Sequence, residues 1–313
     1  YEGNFRIATT AGQLSRGGSQ TSNNLYVLDG KMKTIGTLEG LAPGESIYSA
    51  RFMGKKAYMV TFKKVDPLFV IDLSNPAEPK VLGKLKIPGY SDYLHPIDET
   101  HIIGIGKDTA ESGYGDFAWY QGMKMAIFDV GDVANPKEMH KIIIGDRGTD
   151  SFALRNHKAF LYDRQKELLV LPIQLNLIPE EQKRQYEESI RAQEEQSAQA
   201  AAGQSGAGKA GSTAPSQATS VVARPWVGSP LYGEPVFQGA FVYKVTLEKG
   251  FEERGRITHI TAEDELKMGY YYGDEYIVKR SLYISDTLYT LSESMLKASS
   301  LDTLKDVKEF GFG

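Results

Sequence analysis

Apolar and polar positions alternate in short runs along most of the chain, and the runs recur as a unit. The clearest copy lies at 47–87. There 47–52 (IYSARF), 57–62 (AYMVTF), 67–73 (PLFVIDL) and 80–87 (KVLGKLKI) are apolar-rich or alternating runs separated by polar turn residues, including Gly-Lys-Lys and Ser-Asn-Pro. A period of two places one face in a core and the other in water, and β-branched and aromatic residues favour strands. Four such strands in succession predict one antiparallel blade of a β-propeller.

Diverged copies follow. FVIDLSNPAEPKVLGKLKI from 69 aligns with AIFDVGDVANPKEMHKIII from 126. Both hold an apolar run, an Asp, an Asx-Pro turn and a second run. The Asp is Asp72 and Asp129, with Asp29 and Asp302 read into the same place; Lys244 occupies it in FVYKVTLEKGFEERGRI. The strand before each pair also recurs after a polar turn, as in GKK-AYMVTF, DET-HIIGIG, NHK-AFLYD and SDT-LYTLSE. The pattern predicts an all-β propeller of about five four-stranded blades, at 5–40, 47–88, 90–145, 151–258 and 275–310.

The fourth copy is interrupted at 180–230. PEEQKRQYEESIRAQEEQ reads as a Pro-led, charge-laced helix, and the Ala/Gly/Ser-rich tract after it lacks the apolar surface to order itself. An insertion between two strands of one blade is expected. The first copy shows only three strands, at 5–10, 24–28 and 32–38, and every run at the other end is already used. An unpaired strand edge is a pairing template. The expectation is therefore an arc of a larger ring, completed by upstream repeats or by self-association.

Composition narrows the class. Apolar residues make up 41% and charged residues 24% of 313, ordinary values for a globular protein. A net charge of −4 without a basic stripe argues against nucleic acid. No apolar run reaches the length of a membrane helix. With no cysteine, disulfides, thiolate metal sites and a Cys nucleophile are excluded.

Long strings also agree in order with a known family. RFMGKKAYMVTFKKVDPLFVIDLSNPAEPKVLGKLKIPGYSDYLHPIDETHIIGIGKD, NNLYVLDG, TLEGLAPGESIYS, FQGAFVYKV, GRITH and KRSLYISDTLYTLSE resemble the secreted archaeal and bacterial C-terminal β-propeller domains that are distantly related to WD40 repeats. The resemblance covers nearly all of the chain outside 180–230. It implies a propeller, export from the cell, an archaeal or bacterial source, and further propeller-like repeats upstream of YEGNFRIATT. It carries over no catalytic residue.

Candidate chemistry is sparse. Asp29, Asp72, Asp129 and Asp302 end strands before turns, where a carboxylate accepts backbone N–H bonds, so a structural role is expected. Among the five histidines no HxxxH or HxH pair occurs. His95 and His157 lie in turns that a propeller could bring to one face; His259 reads as a strand-end residue with one ring nitrogen satisfied. Acidic clusters at Asp92, Asp98 and Glu99 and at Glu263, Asp264 and Glu265 lack calcium-loop spacing, and 146–150 (DRGTD) comes nearest. No metal and no cofactor is expected. A hydrolytic carboxylate pair could draw on Asp92, Asp98, Asp116 and Glu111, but no spacing selects one.

The stronger surface signal is aromatic. Tyr114, Phe117, Trp119 and Tyr120 fall in a Gly-rich polar excursion, and Tyr270, Tyr271 and Tyr272 are consecutive, so they cannot all face one side of a strand. Exposed aromatics on loops suit protein and glycan recognition. The reading is an exported or cell-surface binding or scaffold module acting through rim loops. The competing readings are an extracellular hydrolase or lyase at the channel mouth and a structural subunit of a surface assembly.

Overall fold

The computed structural model describes residues 1–12, 21–62, 66–87, 89–111, 118–204, 231–260 and 274–312. Within them, twenty strands form five antiparallel sheets in chain order. The first holds β1 (Phe5–Ala11), β2 (Ser22–Leu28) and β3 (Thr34–Leu41). The second holds β4 (Ser46–Met53), β5 (Lys56–Phe62), β6 (Asp66–Asp72) and β7 (Lys80–Ile87). The third holds β8 (Tyr90–Pro96), β9 (His101–Glu111), β10 (Ala118–Asp129) and β11 (Lys137–Ile144).

In the fourth sheet, β14 (Leu168–Leu177), β15 (Glu234–Thr246) and β16 (Gly250–Ile257) are complete, but two short pieces replace a single first strand. These are β12 (Asp150–Ser151) and β13 (Leu161–Asp163), both paired with β14. Between them the chain makes two 3-10 turns, each started by a side-chain cap: Ala153 N donates to Ser151 Oγ at 3.1 Å and Lys158 N to Asn156 Oδ1 at 3.1 Å. The fifth sheet holds β17 (Arg280–Ile284), β18 (Thr287–Leu291), β19 (Met295–Ser300) and β20 (Asp306–Gly311).

Each sheet is a meander, and the sheets stack face to face. Four apolar clusters join them in sequence. Leu25 and Val27 pack with Met59 and Ile71. Tyr58 and Val70 pack with Ile102 and Phe128. Ile105 and Met125 pack with Leu169 and Phe241, and Val170 and Val242 with Leu288 and Leu301. An inner sheet is covered on both sides, which is why AYMVTF and LLVLPI read as continuous apolar runs. Among the described residues no such cluster joins the fifth sheet to the first. Phe5 is 50% exposed on the free side of the first sheet and Ile284 62% on that of the fifth. The first sheet has three strands, and β20 pairs with β19.

A recurring joint locks the stack. In every sheet the pairing of the last two strands slips by one residue, after Val27, Val70, Ile127, Val242 and Ala298. The partners at the slip are Gly36, Gly83, His140, Gly255 and Lys308. At each of the first four a turn of the next sheet presses in. A Cβ added at Gly36 would stand 2.1 Å from Pro76 O, one at Gly83 2.1 Å from Val133 O, and one at Gly255 2.9 Å from Leu304 Cδ1. His140 instead reaches the turn with a bond from Nε2 to Leu247 O at 2.8 Å. Lys308 is exposed.

The 178–233 segment joins β14 to β15, which still pair directly, Leu177 opposite Glu234. It opens as α1 (Glu180–Gln204), tied to the body by Lys183 Nζ 3.1 Å from Asp146 Oδ2.

Candidate functional site

The two ends of the stack differ in character. One end carries the short turns that lead into the last strand of each sheet, and here the recurring carboxylates sit. Asp29 Oδ1 accepts Lys31 N at 2.8 Å and Lys33 N at 2.9 Å, Asp72 Oδ1 accepts Ser74 N at 2.9 Å, and Asp129 Oδ1 accepts Gly131 N at 2.8 Å. Hydrogen bonds from Ser74 hold the Asp72 carboxyl below the usual range. All three follow the strand slip by two residues. Asp302 departs from the expected pattern, because the slip after Ala298 puts Ser300 in that place. Ser300 Oγ accepts Thr303 N at 3.2 Å, while Asp302 is held through its carbonyl by Arg254 Nη2 at 2.9 Å.

At the other end emerge the longer connections: those between second and third strands and those that pass to the next sheet. Of the aromatics expected there, Tyr114, Phe117, Tyr270, Tyr271 and Tyr272 lie outside the described residues, as do Glu263, Asp264, Glu265 and Asp116. Trp119 and Tyr120 open β10. The Tyr120 ring lies 5.4 Å from Tyr90 and 6.1 Å from Phe62, and its hydroxyl 3.4 Å from that of Tyr48. It remains 43% exposed. The Arg147 guanidinium is sandwiched, 4.4 Å from the centre of the Trp119 ring and 4.1 Å from that of Tyr232, and donates to Tyr232 Oη at 3.2 Å. Tyr232 is 63% exposed.

The DRGTD turn is not arranged for calcium. Asp146 Oδ2 accepts Ile178 N at 2.8 Å beside Lys183, and Asp150 pairs with Lys107 Nζ at 3.1 Å and with Arg155 Nη2 at 2.5 Å. Asp92, the extra residue where β8 slips against β9 between Ser91 and Tyr93, lies in the field of the same Lys107, Asp150 and Arg155. Burial pushes Asp92 up to about 7, against the pull of Lys107. Burial acts the same way on Asp150, but Arg155 and Lys107 outweigh it and leave its pKa below the ordinary value. Two carboxylates whose pKa values are driven apart can serve as acid and base. Asp98 takes no part, since it lies beyond the opposite end of β8, bound to Thr100, His101 and Arg164.

The histidines scatter except for one pair. His101 is bound to Asp98, His140 to the Leu247 carbonyl, and the buried His259 to Thr290 Oγ1 through Nε2 at 2.8 Å. His95 and His157 flank Tyr93. Its hydroxyl lies 3.0 Å from His95 Nδ1, and its ring is stacked against that of His157 at 6.4 Å. Among the described residues no group of three or more His, Asp or Glu side chains could hold a metal ion, and no helix is long and apolar enough to cross a membrane.

The sequence model of the beta propeller domain family matches residues 1–304. The chain belongs to that family.

Two curated archaeal relatives of this propeller are themselves described as uncharacterized proteins. One, from Methanocaldococcus jannaschii, is 46% identical over 172 residues, 55% of this chain and 26% of the relative. The other, from Archaeoglobus fulgidus, is 40% identical over 172 residues, 55% of this chain and 25% of the relative. The matched stretch thus spans about a quarter of either relative. Among solved structures, apo AztD from Citrobacter koseri gives a TM-score of 0.45 at 10% identity, covering 99% of this chain and 58% of that one. The WD40 domain of SCAP from fission yeast gives 0.39 at 8%, covering 100% and 59%.

Sequence reasoning on this propeller missed Arg147, Tyr232, Lys107 and Arg155. Arg147 lay in the turn weighed for calcium, and Tyr232 at the end of the insertion. Their pairing joins positions far apart in the chain, and no local pattern announces it.

Proposed function

We propose that this propeller is a binding or scaffold module presented outside the cell, and that its contact surface is the end where the longer connections emerge. The observation that carries the reading is the Trp119–Arg147–Tyr232 stack beside the exposed Tyr120. Aromatic rings and arginine dominate the energetics of protein contacts, and a flat exposed ring is also the platform on which a sugar stacks. The stack is fixed before any partner arrives, which reduces the ordering cost of association. The family fold supports a binding role in general terms, and the resemblance to exported propellers supports the location.

The test is to probe wild type and the Arg147→Ala/Tyr232→Ala double variant on a glycan array and against purified surface proteins of the source cell. The reading expects at least one ligand that the variant loses while its melting midpoint is kept. A ligand retained in full by the variant would move the contact surface elsewhere. Fractionation of cells carrying the full-length gene tests export.

Asp92 and Asp150 favour a second reading, a hydrolase or lyase at the inner edge. It requires turnover of a polysaccharide or ester panel that Asp92→Asn abolishes.

A further inference from the structure

The two outer faces of the stack are unmatched halves of the joint that holds the inner sheets together. Residues directly opposite one another in a sheet share a face. In the second sheet the row Tyr58–Val70–Gly83 faces the third, and Tyr58 and Val70 are fully buried there. Counted from the strand slip, the same row in the fifth sheet is Tyr289–Ala298–Lys308, continued on β17 by Leu282. Phe310 lies on the same face, two residues beyond Lys308, whose Nζ is 4.9 Å from the centre of its ring. Leu282 is 50% exposed and Phe310 43%.

The first sheet shows the complementary face. Met59 and Ile71 of the second sheet are turned toward the first and buried against it. Their counterparts by register in the first sheet are Ile7 and Leu28, on the side turned away from the second. Ile7 is exposed there beside Phe5. Apolar strand faces left open in this way mark contact surfaces.

The joint itself is also split between the ends. The fifth sheet has a recess position, Lys308, and the first has a turn at 29–33. The turns that close on Gly36 and Gly83 run from Asp72 to Lys80 and from Asp129 to Lys137. The turn at 29–33 is tighter, closed by Asp29 N on Lys33 O at 2.9 Å. A tight turn also follows Thr246, and there the recess holds a long side chain, His140. Lys308 gives the fifth sheet a recess of that second kind. Charge sets the pairing of faces. Arg280 and Lys308 lie on the fifth-sheet face, and Glu39 lies on the first-sheet face, where its carboxylate accepts the Tyr26 hydroxyl at 2.9 Å. Two fifth-sheet faces would oppose like charges, whereas fifth on first opposes unlike ones.

We propose that this chain associates head to tail, the fifth sheet of one copy seating on the first sheet of a second copy as the inner sheets seat on each other. A second copy supplies both missing halves, a turn for the Lys308 recess and apolar cover for Leu282 and Phe310. The contact is heterologous, joining unlike faces. It uses none of Trp119, Arg147 and Tyr232, so it stands independently of the binding surface proposed above.

Sedimentation velocity over a concentration series should show a mass above that of one chain. Leu282→Asp should return it to a single chain with an unchanged circular dichroism spectrum, since Leu282 is half exposed. The chain has no cysteine, so introduced ones report the contact directly. An equimolar mixture of Ile7→Cys and Leu282→Cys chains should cross-link through a short bis-maleimide several-fold more than either variant alone. A single-chain mass at every concentration overturns the proposal. So does either cysteine variant cross-linking alone as strongly as the mixture, or a folded Leu282→Asp associating as wild type does. A full-length gene product that is monomeric, with no cross-link in the mixture, would place the cover within one chain and overturn it too. Should Leu282→Asp not fold, the cysteine mixture decides.

Discussion

Replacing Gly83 with Ala tests the joint between the second and third sheets. The new methyl would stand 2.1 Å from Val133 O, 3.0 Å from Ala134 O and 3.1 Å from Ala134 C, all backbone atoms. No rotamer relieves this, so the turn must lift by about 1 Å to restore ordinary contact, in a region as densely packed as a crystal. Val133 and Leu82 lean on the buried cluster of Tyr58, Val70, Ile102 and Phe128, and lifting the turn loosens that contact. Overpacking of this kind costs about 1–3 kcal/mol, with lost apolar cover on top. Stiffening of the unfolded chain by Ala returns about 0.5 kcal/mol. The net loss is about 2–3 kcal/mol, a fall of about 5 °C in the melting midpoint. Gly30→Ala is the control, since its Cβ would meet only Gly3 O at 3.9 Å. Paired melts by circular dichroism and calorimetry provide the measurement. If Gly83→Ala and Gly30→Ala melt within about 1 °C of each other, the close approach does not carry the joint.

Removing 181–228 and bridging the ends with a short Gly/Ser linker should leave the midpoint nearly unchanged, because β14 and β15 pair without it and closure entropy grows slowly with length; failure to fold would make the segment part of the body. Asp72→Ala should cost about 1 kcal/mol in denaturant melts, as for a lost cap, and no change at all would remove its turn role. The folded pKa of Asp92, about 7, lies above its unfolded value, so the folded chain holds a proton that the unfolded one releases between them. Stability from this group therefore rises as pH falls from about 7 toward about 4 and is absent above it. Asp92→Asn should melt higher than wild type at pH 8, with the gap closing near pH 5, and a gap independent of pH would refute the assignment.

Much of the fold was legible because its signal is local. Alternating runs, Gly-Lys-Lys and Asx-Pro turns and the recurring Asp each act over a few residues, and together they define a blade. The misplacement of Asp302 has a physical cause. The slip after Ala298 moves the slot to Ser300, and a hydroxyl can do there what a carboxylate does elsewhere, so matching by residue type chose the wrong position. The candidate sites were far less legible. Trp119 and Tyr120 announced themselves as aromatics in a polar stretch, but what makes them a surface is Arg147 and Tyr232, which sheet stacking brings in from other hairpins.

The joints that hold the sheets together also bear on how such a chain can arise. Each of the middle units supplies a recess on its trailing strand and a protruding turn for the recess of its predecessor, so it is a head-to-tail monomer in the sense used for polymers. A tandem duplication of the coding segment for one unit would deliver both halves at once, and the newcomer could seat at any joint without compensating change in its neighbours. Gene-level gain or loss of whole units is then a small step for this architecture, whereas altering half of one joint strands the other half. His140 reaches the Leu247 carbonyl through its ring, where Gly36 and Gly83 let the turn close directly on bare backbone, so this joint is built from a different pair of halves. A unit carrying His140 should transplant only alongside the one that follows it.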